Sequence, residues 1–322
     1  VRTWDSLMYN HLWEKKIVIG QGGGRKDRQI EGAFVQEPVP GSYEWVASFD
    51  ATSLYPSILM QHNMSPETIV PGFQYEVSVD DQLDRYKLDK LKEKNYTMAG
   101  NGSCFTREKK GLFPEIVQKF FNDRLRYKKL MQKAQKDFQE TGALHHKNEI
   151  SKYNNFQMAR KIQLNSLYGA MANQYFRFYD DRIAEGITMS GQLVIRDTAK
   201  ALDKYMNKVC GTEDEMYSFY SDTDSCYVTC KNLVDNFFPD KDVDKVVGLL
   251  DKIGTEKIEP AIAQAMTKLG NYTNAFEHKI DFKREVIADK GVFVAKKRYA
   301  LNVLDDEGLR LKDPKLKVMG LE

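Results

Sequence analysis

The chain has 322 residues, 42% hydrophobic and 29% charged, with 48 Lys plus Arg against 46 Asp plus Glu and a formal net charge of +2. These values exclude intrinsic disorder, collagen and coiled-coil arrays, and the length allows two or three domains around a substantial core. Apolar runs as short as residues 17–19 and 246–250 fall far below the roughly 20 residues of a membrane span, which excludes a transmembrane reading.

In chain order, an amphipathic segment over residues 4–19 is followed by a glycine-rich polar stretch, 20–29, that reads as a loop. It lacks the Gly-Lys-Ser/Thr ending of a phosphate-binding loop, so a plain linker is expected. The aromatic and β-branched run 43–50 predicts a strand that delivers Asp50 at its end. Residues 80–95 are polar and are expected at the periphery. Ile116, Val117, Phe120, Phe121 and Leu125 recur at helical spacing behind Pro114 and predict a helix to about Gln139. Between Gln118 and Lys136 it carries Lys119, Arg124, Arg126, Lys128, Lys129, Lys133 and Lys136 against Asp123 alone. A turn over 140–148 and a second helix over 149–173 complete a two-helix hairpin. A third helix is expected over 183–209, then strands over 216–220 and 225–230 around an Asp-Thr-Asp turn. A helix over 242–269 and strands within 275–287 and 292–303 close the chain.

The four cysteines, Cys104, Cys210, Cys226 and Cys230, form no C-x-x-C pair, and a reduced, cytoplasmic chain is expected. Val1 is not an initiator methionine and nothing marks Glu322 as a chain end, so the sequence reads as a fragment.

Asp222 and Asp224 stand two residues apart in Tyr220-Ser221-Asp222-Thr223-Asp224-Ser225. Burying both needs a counter-charge, which a divalent metal supplies, and hard oxygen ligands favour magnesium. Two metals about 4 Å apart suit in-line attack on a phosphate. A solvated turn is the alternative, since Asp is common there. Asp50 precedes a tight connection whose backbone amides can hold phosphate oxygens, or it serves as an ordinary helix cap. Lys161, Asn165 and Tyr168, at i, i+4 and i+7, share one helix face. Arg124 and Lys128 can point to the same anion, although a basic helix taken singly is more often a solvated surface.

Residues 50–58 (DATSLYPSI), 161–169 (KIQLNSLYG) and 220–225 (YSDTDS) resemble, in order, the three polymerase motifs of family B DNA polymerases. Residues 296–299 (KKRY) resemble a fourth element, continued by 317–322 (KVMGLE). The wording of 53–58, 65–68 (SPET) and 297–303 is most similar to replicative polymerases of T-even-type bacteriophages, and the resemblance covers nearly the whole chain. Ser221 stands where the family has Gly, and residues 30–33 (IEGA) are a weak form of its Y-x-G-G element.

The resemblance implies an α+β palm, an antiparallel sheet with packed helices, interrupted by an α-helical fingers hairpin. The divisions it implies are a connecting segment 1–42, palm 43–111, fingers 112–173 and palm 174–322, with the exonuclease and thumb domains absent. It implies that Asp50 and Asp224, with the carbonyl of Ala51, hold two Mg2+ ions, for which Mn2+ substitutes, while Asp222 and Glu285 are supporting acids. Ser53 and Leu54 would offer amides to the triphosphate of a dNTP, and Tyr55 would exclude a 2′-hydroxyl. Arg124, Lys128, Lys161 and Asn165 would grip the triphosphate. Tyr168 and Gly169 would lie at the nascent base pair, and Lys296, Lys297 and Tyr299 on primer-template DNA. The implied activity is DNA-directed DNA synthesis, with a sliding clamp and the missing portions as further partners and no membrane.

Phosphoryl transfer rests on positioning and charge neutralisation, so the five histidines need no catalytic part and are expected as exposed or capping side chains. A metal-dependent nuclease would need neither the triphosphate grip nor the sugar gate. A single-stranded-DNA-binding module would need stacking platforms without the acids.

Overall fold

The structure, a computed structural model, describes residues 1–18, 30–85, 88, 90–238 and 242–321. The glycine-rich stretch 20–29 lies outside them, as does Glu322.

Strands β1 (Gly41–Ala51), β5 (Ser218–Asp222), β6 (Ser225–Thr229), β7 (Phe282–Ala295), β8 (Arg298–Asp306) and β9 (Leu309–Met319) form a six-stranded sheet in the order β5-β6-β1-β7-β8-β9, antiparallel throughout. Both faces of β1 are buried, which is why its sequence is an apolar run rather than an alternation. Ala47 and Phe49 join the main core, while Val46 joins an aromatic cluster with Tyr220, Tyr227, Phe293 and Tyr299 on the other face.

The main core is covered by helices, chiefly α7 (Asp181–Cys210), capped by the Asp180 carboxylate and ended by Gly211 at φ 70°. Beside it lie α8 (Lys231–Phe237), α9 (Val243–Ile253) and α10 (Glu259–Tyr272). The single helix expected over 242–269 is interrupted by a π-helical turn, Gly254–Ile258. Pro260 has no N–H and its ring crowds the carbonyl four residues back, so a wider turn relieves the clash.

Helices α1 (Arg2–Glu14) and α2 (Leu54–Gln61) pack into the same core through Trp4, Met8, Leu54 and Ile58. A small sheet, β2 (Ile69–Gln74), β4 (Ser103–Thr106) and β3 (Tyr96–Met98), flanks it. The segment expected at the periphery instead contributes to the interior. It holds α3 (Val79–Leu83) and α4 (Lys90–Glu93), with Gln82 and Leu91 buried. Gln82 Nε2 donates to the Gly100 carbonyl at 2.7 Å, while its Oε1 is buried with no partner, and Arg85 pairs with Asp197 at 2.8 Å, so hydrogen bonds and an ion pair offset much of the cost of burying polar groups there.

Helices α5 (Leu112–Thr141) and α6 (Leu144–Met171) form the hairpin, running antiparallel as the contacts Asp123–Arg160 and Tyr127–Phe156 require. The expected nine-residue turn is only Gly142-Ala143, because Gly142 at φ 66° closes α5 and the polar residues after it are helical surface. The residues SPET have a local role at the other end. Asn63 Oδ1 accepts from Gly111 N at 2.8 Å, Ser65 Oγ from Phe113 N at 3.3 Å, and Glu67 from Leu112 N, so this loop caps the first turn of α5.

Three more expectations are corrected. Residues 275–281 form no strand, and the break read around Gly291 does not exist. Strand β7 runs through it, and a Cβ on Gly291 would meet Leu301 Cδ2 at 2.6 Å. Among the histidines, His62 is neither exposed nor a cap. It is buried, its Nδ1 lies 3.1 Å from Thr97 Oγ1, and burial pushes its pKa down to about 4. Among the described residues no helix is long and apolar enough to cross a membrane, and the four cysteines are unpaired.

Candidate active site

Two β connections bring the acids together. At the end of β1, Asp50 pairs with Ser225 of β6, and Ala51 N donates to the carbonyl of Asp224 at 2.8 Å. Asp224 sits at the tip of the β5–β6 hairpin, where Asp222 faces Ser225 and Thr223 adopts φ 57°. A β-branched residue is strained in that region, so the hairpin is held from outside: Thr223 N donates to Phe34 O at 3.1 Å and Val35 bridges Asp222. The segment leading there, the weak Y-x-G-G element, is fastened to α7 by Thr188 to Glu31 O at 2.6 Å and Gln192 to Gly32 O at 2.8 Å.

Asp50, Ala51, Ser53, Arg124, Lys128, Lys161, Asn165, Asp224 and Glu285, all singled out from the sequence, line one cleft of about 770 Å³. The Asp50 carboxyl is pushed up to about 8 by burial and by the neighbouring charges of Asp224 and Glu285, with Lys317 and Lys161 acting against the rise. Asp224 is also raised, first by burial. Carboxylates crowded beyond what nearby lysines neutralise are a donor set fitted to hard divalent cations.

Cationic side chains of α5 and α6 line the same cleft. Arg124 Nη1 donates to Ser53 Oγ at 2.7 Å, while its Nε is buried with no hydrogen-bond partner. Ser53 itself adopts φ 53° between β1 and α2, and the Leu54 amide opens the helix behind it. Along α6, Lys161, Asn165 and Gly169 form an exposed strip, and open space lies where Gly169 would carry a Cβ. Tyr55 packs on Tyr168, ring centroids 4.8 Å apart, and burial pushes its hydroxyl up to about 12.

Other expected residues lie elsewhere. Asp222 pairs with Lys297 Nζ at 2.8 Å, and Lys296 lies 3.5 Å from Glu37. Tyr299, expected on the duplex, is only 5% exposed and its hydroxyl shares a 2.9 Å hydrogen bond with Tyr227 inside the aromatic cluster.

The cleft also contains residues that sequence reasoning missed: Asp251, Glu259, Lys283, Arg284 and Glu307. Arg284 is buried between Asp251 and Asp305, its Nη1 2.5 Å from Asp305, and its backbone N–H donates to Glu259 at 2.9 Å. The consecutive charges at 283–285 near the start of a mostly apolar strand, and Glu307-Gly308 at a hairpin tip, were the available signals.

The chain is similar to known DNA polymerases along its length. The DNA-directed DNA polymerase of Escherichia phage RB69 is 36% identical over 373 aligned positions, covering 100% of this chain and 41% of that protein. That of Enterobacteria phage T4 is 34% identical with the same coverage. The DNA polymerase delta catalytic subunit of Drosophila melanogaster is 27% identical over 281 positions, 85% of this chain and 22% of that one. The chain thus spans about two fifths of the length of the phage relatives, 41% in each case. The profile of DNA polymerase family B matches residues 3–238, and the chain belongs to that family.

Proposed function

We propose that this chain carries the nucleotidyl-transfer site of a DNA-directed DNA polymerase, adding deoxynucleotides from dNTP to the 3′-hydroxyl of a primer paired with a template. One observation carries the reading: Asp50, Asp224 and Glu285 share a single cleft with Arg124, Lys128, Lys161 and Asn165. Acids alone would suit a nuclease. Acids and cations lining one cleft suit a triphosphate, whose charge must be held while its α-phosphate is attacked.

Asp50, Asp224 and the Ala51 carbonyl would hold two divalent ions, Mg2+ with Mn2+ as a substitute. When bound, these ions supply activation of the primer hydroxyl and neutralisation of the leaving pyrophosphate. Arg124 and Lys128 from α5 and Lys161 and Asn165 from α6 orient the triphosphate, with the amides of Ser53 and Leu54 beneath it. Tyr55, braced by Tyr168, lies under the sugar and leaves no room for a 2′-hydroxyl. Gly169 permits close approach of the nascent base pair. Asp222 acts through Lys297, holding it beside the acids, and Lys296 and Lys297 remain available to the primer-template backbone. In this assignment residues 43–111 and 174–322 are palm, 112–173 are fingers, and 1–42 lead into the palm.

The test is single-nucleotide extension of a primed template by the purified chain, with Mg2+ and then Mn2+, beside Asp224→Asn. Extension by the wild type and its loss in the variant is the expected result. The chain spans 41% of the phage relatives' length, and a second reading is a site that binds nucleotide but does not extend a primer by itself. Metal-dependent dNTP binding without extension would select it, and absence of that binding would overturn both.

A further inference from the structure

We propose that His145, His146 and Glu149, at the far end of the α5–α6 hairpin, form a binding site for a borderline-soft divalent cation of the zinc class. The nitrogen and oxygen donor atoms of all three lie within 4.8 Å of one another. His146 Nδ1 is 2.9 Å from Glu149 Oε2, and the two imidazole rings meet at a centroid distance of 3.9 Å. Tetrahedral Zn2+ with bonds of about 2.0–2.2 Å draws its donors to roughly 3.4 Å separations, so shifts of about 1 Å complete the set.

A hydrogen-bonded His–Glu pair one helical turn apart accounts for His146 and Glu149, but not for His145. Its exposed ring is turned onto its neighbour instead of extending into solvent. Lys147, the adjacent cation in the chain, has its ammonium 5.2 Å from the Phe138 ring centroid. The start of α6 carries a positive dipole end that opposes a cation. The carbonyl end of α5, two residues before it, offsets that field, and Glu149 adds a formal negative charge.

Two imidazoles and one carboxylate select zinc, copper or nickel over magnesium, which separates this site chemically from the acid cleft. With three protein ligands the fourth position falls to water. A bound ion would also have a structural effect. Ala143, the residue at the head of α6, makes no side-chain cap, and a metal spanning residues 145–149 would fasten that first turn.

The experiment titrates the whole chain with ZnCl2 in excess Mg2+, which competes for the carboxylates of the acid cleft, and follows hydrogen exchange in the first turn of α6. Wild type should bind one equivalent and gain protection at residues 145–150. His145→Ala and Glu149→Gln should each weaken zinc at least ~10-fold, the loss caused even by disturbing a ligand's supporting partner. Both positions are solvent-accessible, and circular dichroism checks that each variant stays folded. Zinc uptake unchanged in His145→Ala/His146→Ala, or unchanged exchange in that turn, would overturn the proposal and assign the metal to Cys210 or another group. Because the readouts are metal uptake and exchange, the result stands apart from whether the chain extends a primer.

Discussion

Lys128 Nζ lies 3.2 Å from Glu307 Oε2, so a cation of α5 is held across the cleft by an acid on the turn between β8 and β9. The turn is fixed in place, with Glu307 N donating to Glu285 O at 2.7 Å. On the proposed function, Glu307 occupies as a carboxylate the place beside Lys128 that a triphosphate oxygen would take. Both side chains are more than a third exposed, so the pair contributes about 1 kcal/mol or less. Glu307→Gln is expected to tighten dNTP binding about 2–5-fold and Lys128→Ala to weaken it. Equilibrium binding at two salt concentrations measures this, and weaker binding by Glu307→Gln would contradict it.

Asp50→Asn separates stability from function. The carboxyl is raised to about 8, above its unfolded value. Folding therefore favours its protonated form, and the penalty for the charged form grows as pH rises from roughly 4 and is complete above about 8. Without divalent metal, Asp50→Asn should melt several degrees higher than wild type at alkaline pH, with the gap closing in acid. Magnesium should stabilise wild type alone, and primer extension should vanish in the variant. Equal melting of the two proteins above that pH would remove the crowded-acid account.

Tyr55→Ala is expected to raise incorporation of ribonucleotides relative to deoxynucleotides by ~10-fold or more. Its ring lies against Tyr168 and packs so close to Gly191 that a Cβ added there would come within 3.2 Å of it. Competing rNTP and dNTP in one extension reaction gives the ratio directly. An unchanged ratio would place the sugar elsewhere.

His62 makes stability depend on pH. Its pKa of about 4 lies below the unfolded value of roughly 6.5, so neutral His62 favours the fold above that value and the advantage is lost as pH falls toward 4. The loss reaches about 2 kcal/mol near pH 5. Urea unfolding of wild type and His62→Gln near pH 7.5 and pH 5 tests it, with the variant expected to lose less. Parallel losses would assign the effect to carboxylates.

What was legible in the sequence follows from what each residue had to satisfy locally. Strand β1, the long α5 and the acid hairpin carry their own periodicity or turn chemistry, and Asp50, Ser53, Lys161, Asn165 and Asp224 of the cleft stood in recognisable motifs, whereas Asp251, Glu259, Arg284 and Glu307 did not. His62 and Gln82 were hidden because their burial depends on partners far along the chain, Thr97 and Gly100. Strand β9 was hidden for the opposite reason. Its exposed residues alternate lysine and arginine with aliphatics and form no buried stripe. Tyr299 was placed on the duplex by its motif, whereas the aromatic cluster behind the sheet takes up its ring and hydroxyl.

The capped base and two-residue tip of the helical hairpin have a mechanical consequence. With 30 residues in α5, the arm is ~45 Å long, while Arg124 lies only ~18 Å from its anchored end. A tilt of about 5° about the loop formed by Asn63, Ser65 and Glu67 would carry the tip ~4 Å but Arg124 less than ~2 Å. The hairpin is a lever with a gain of more than two, so a spectroscopic label at Ala143 would magnify movements of Arg124 that are too small to follow at the cleft itself.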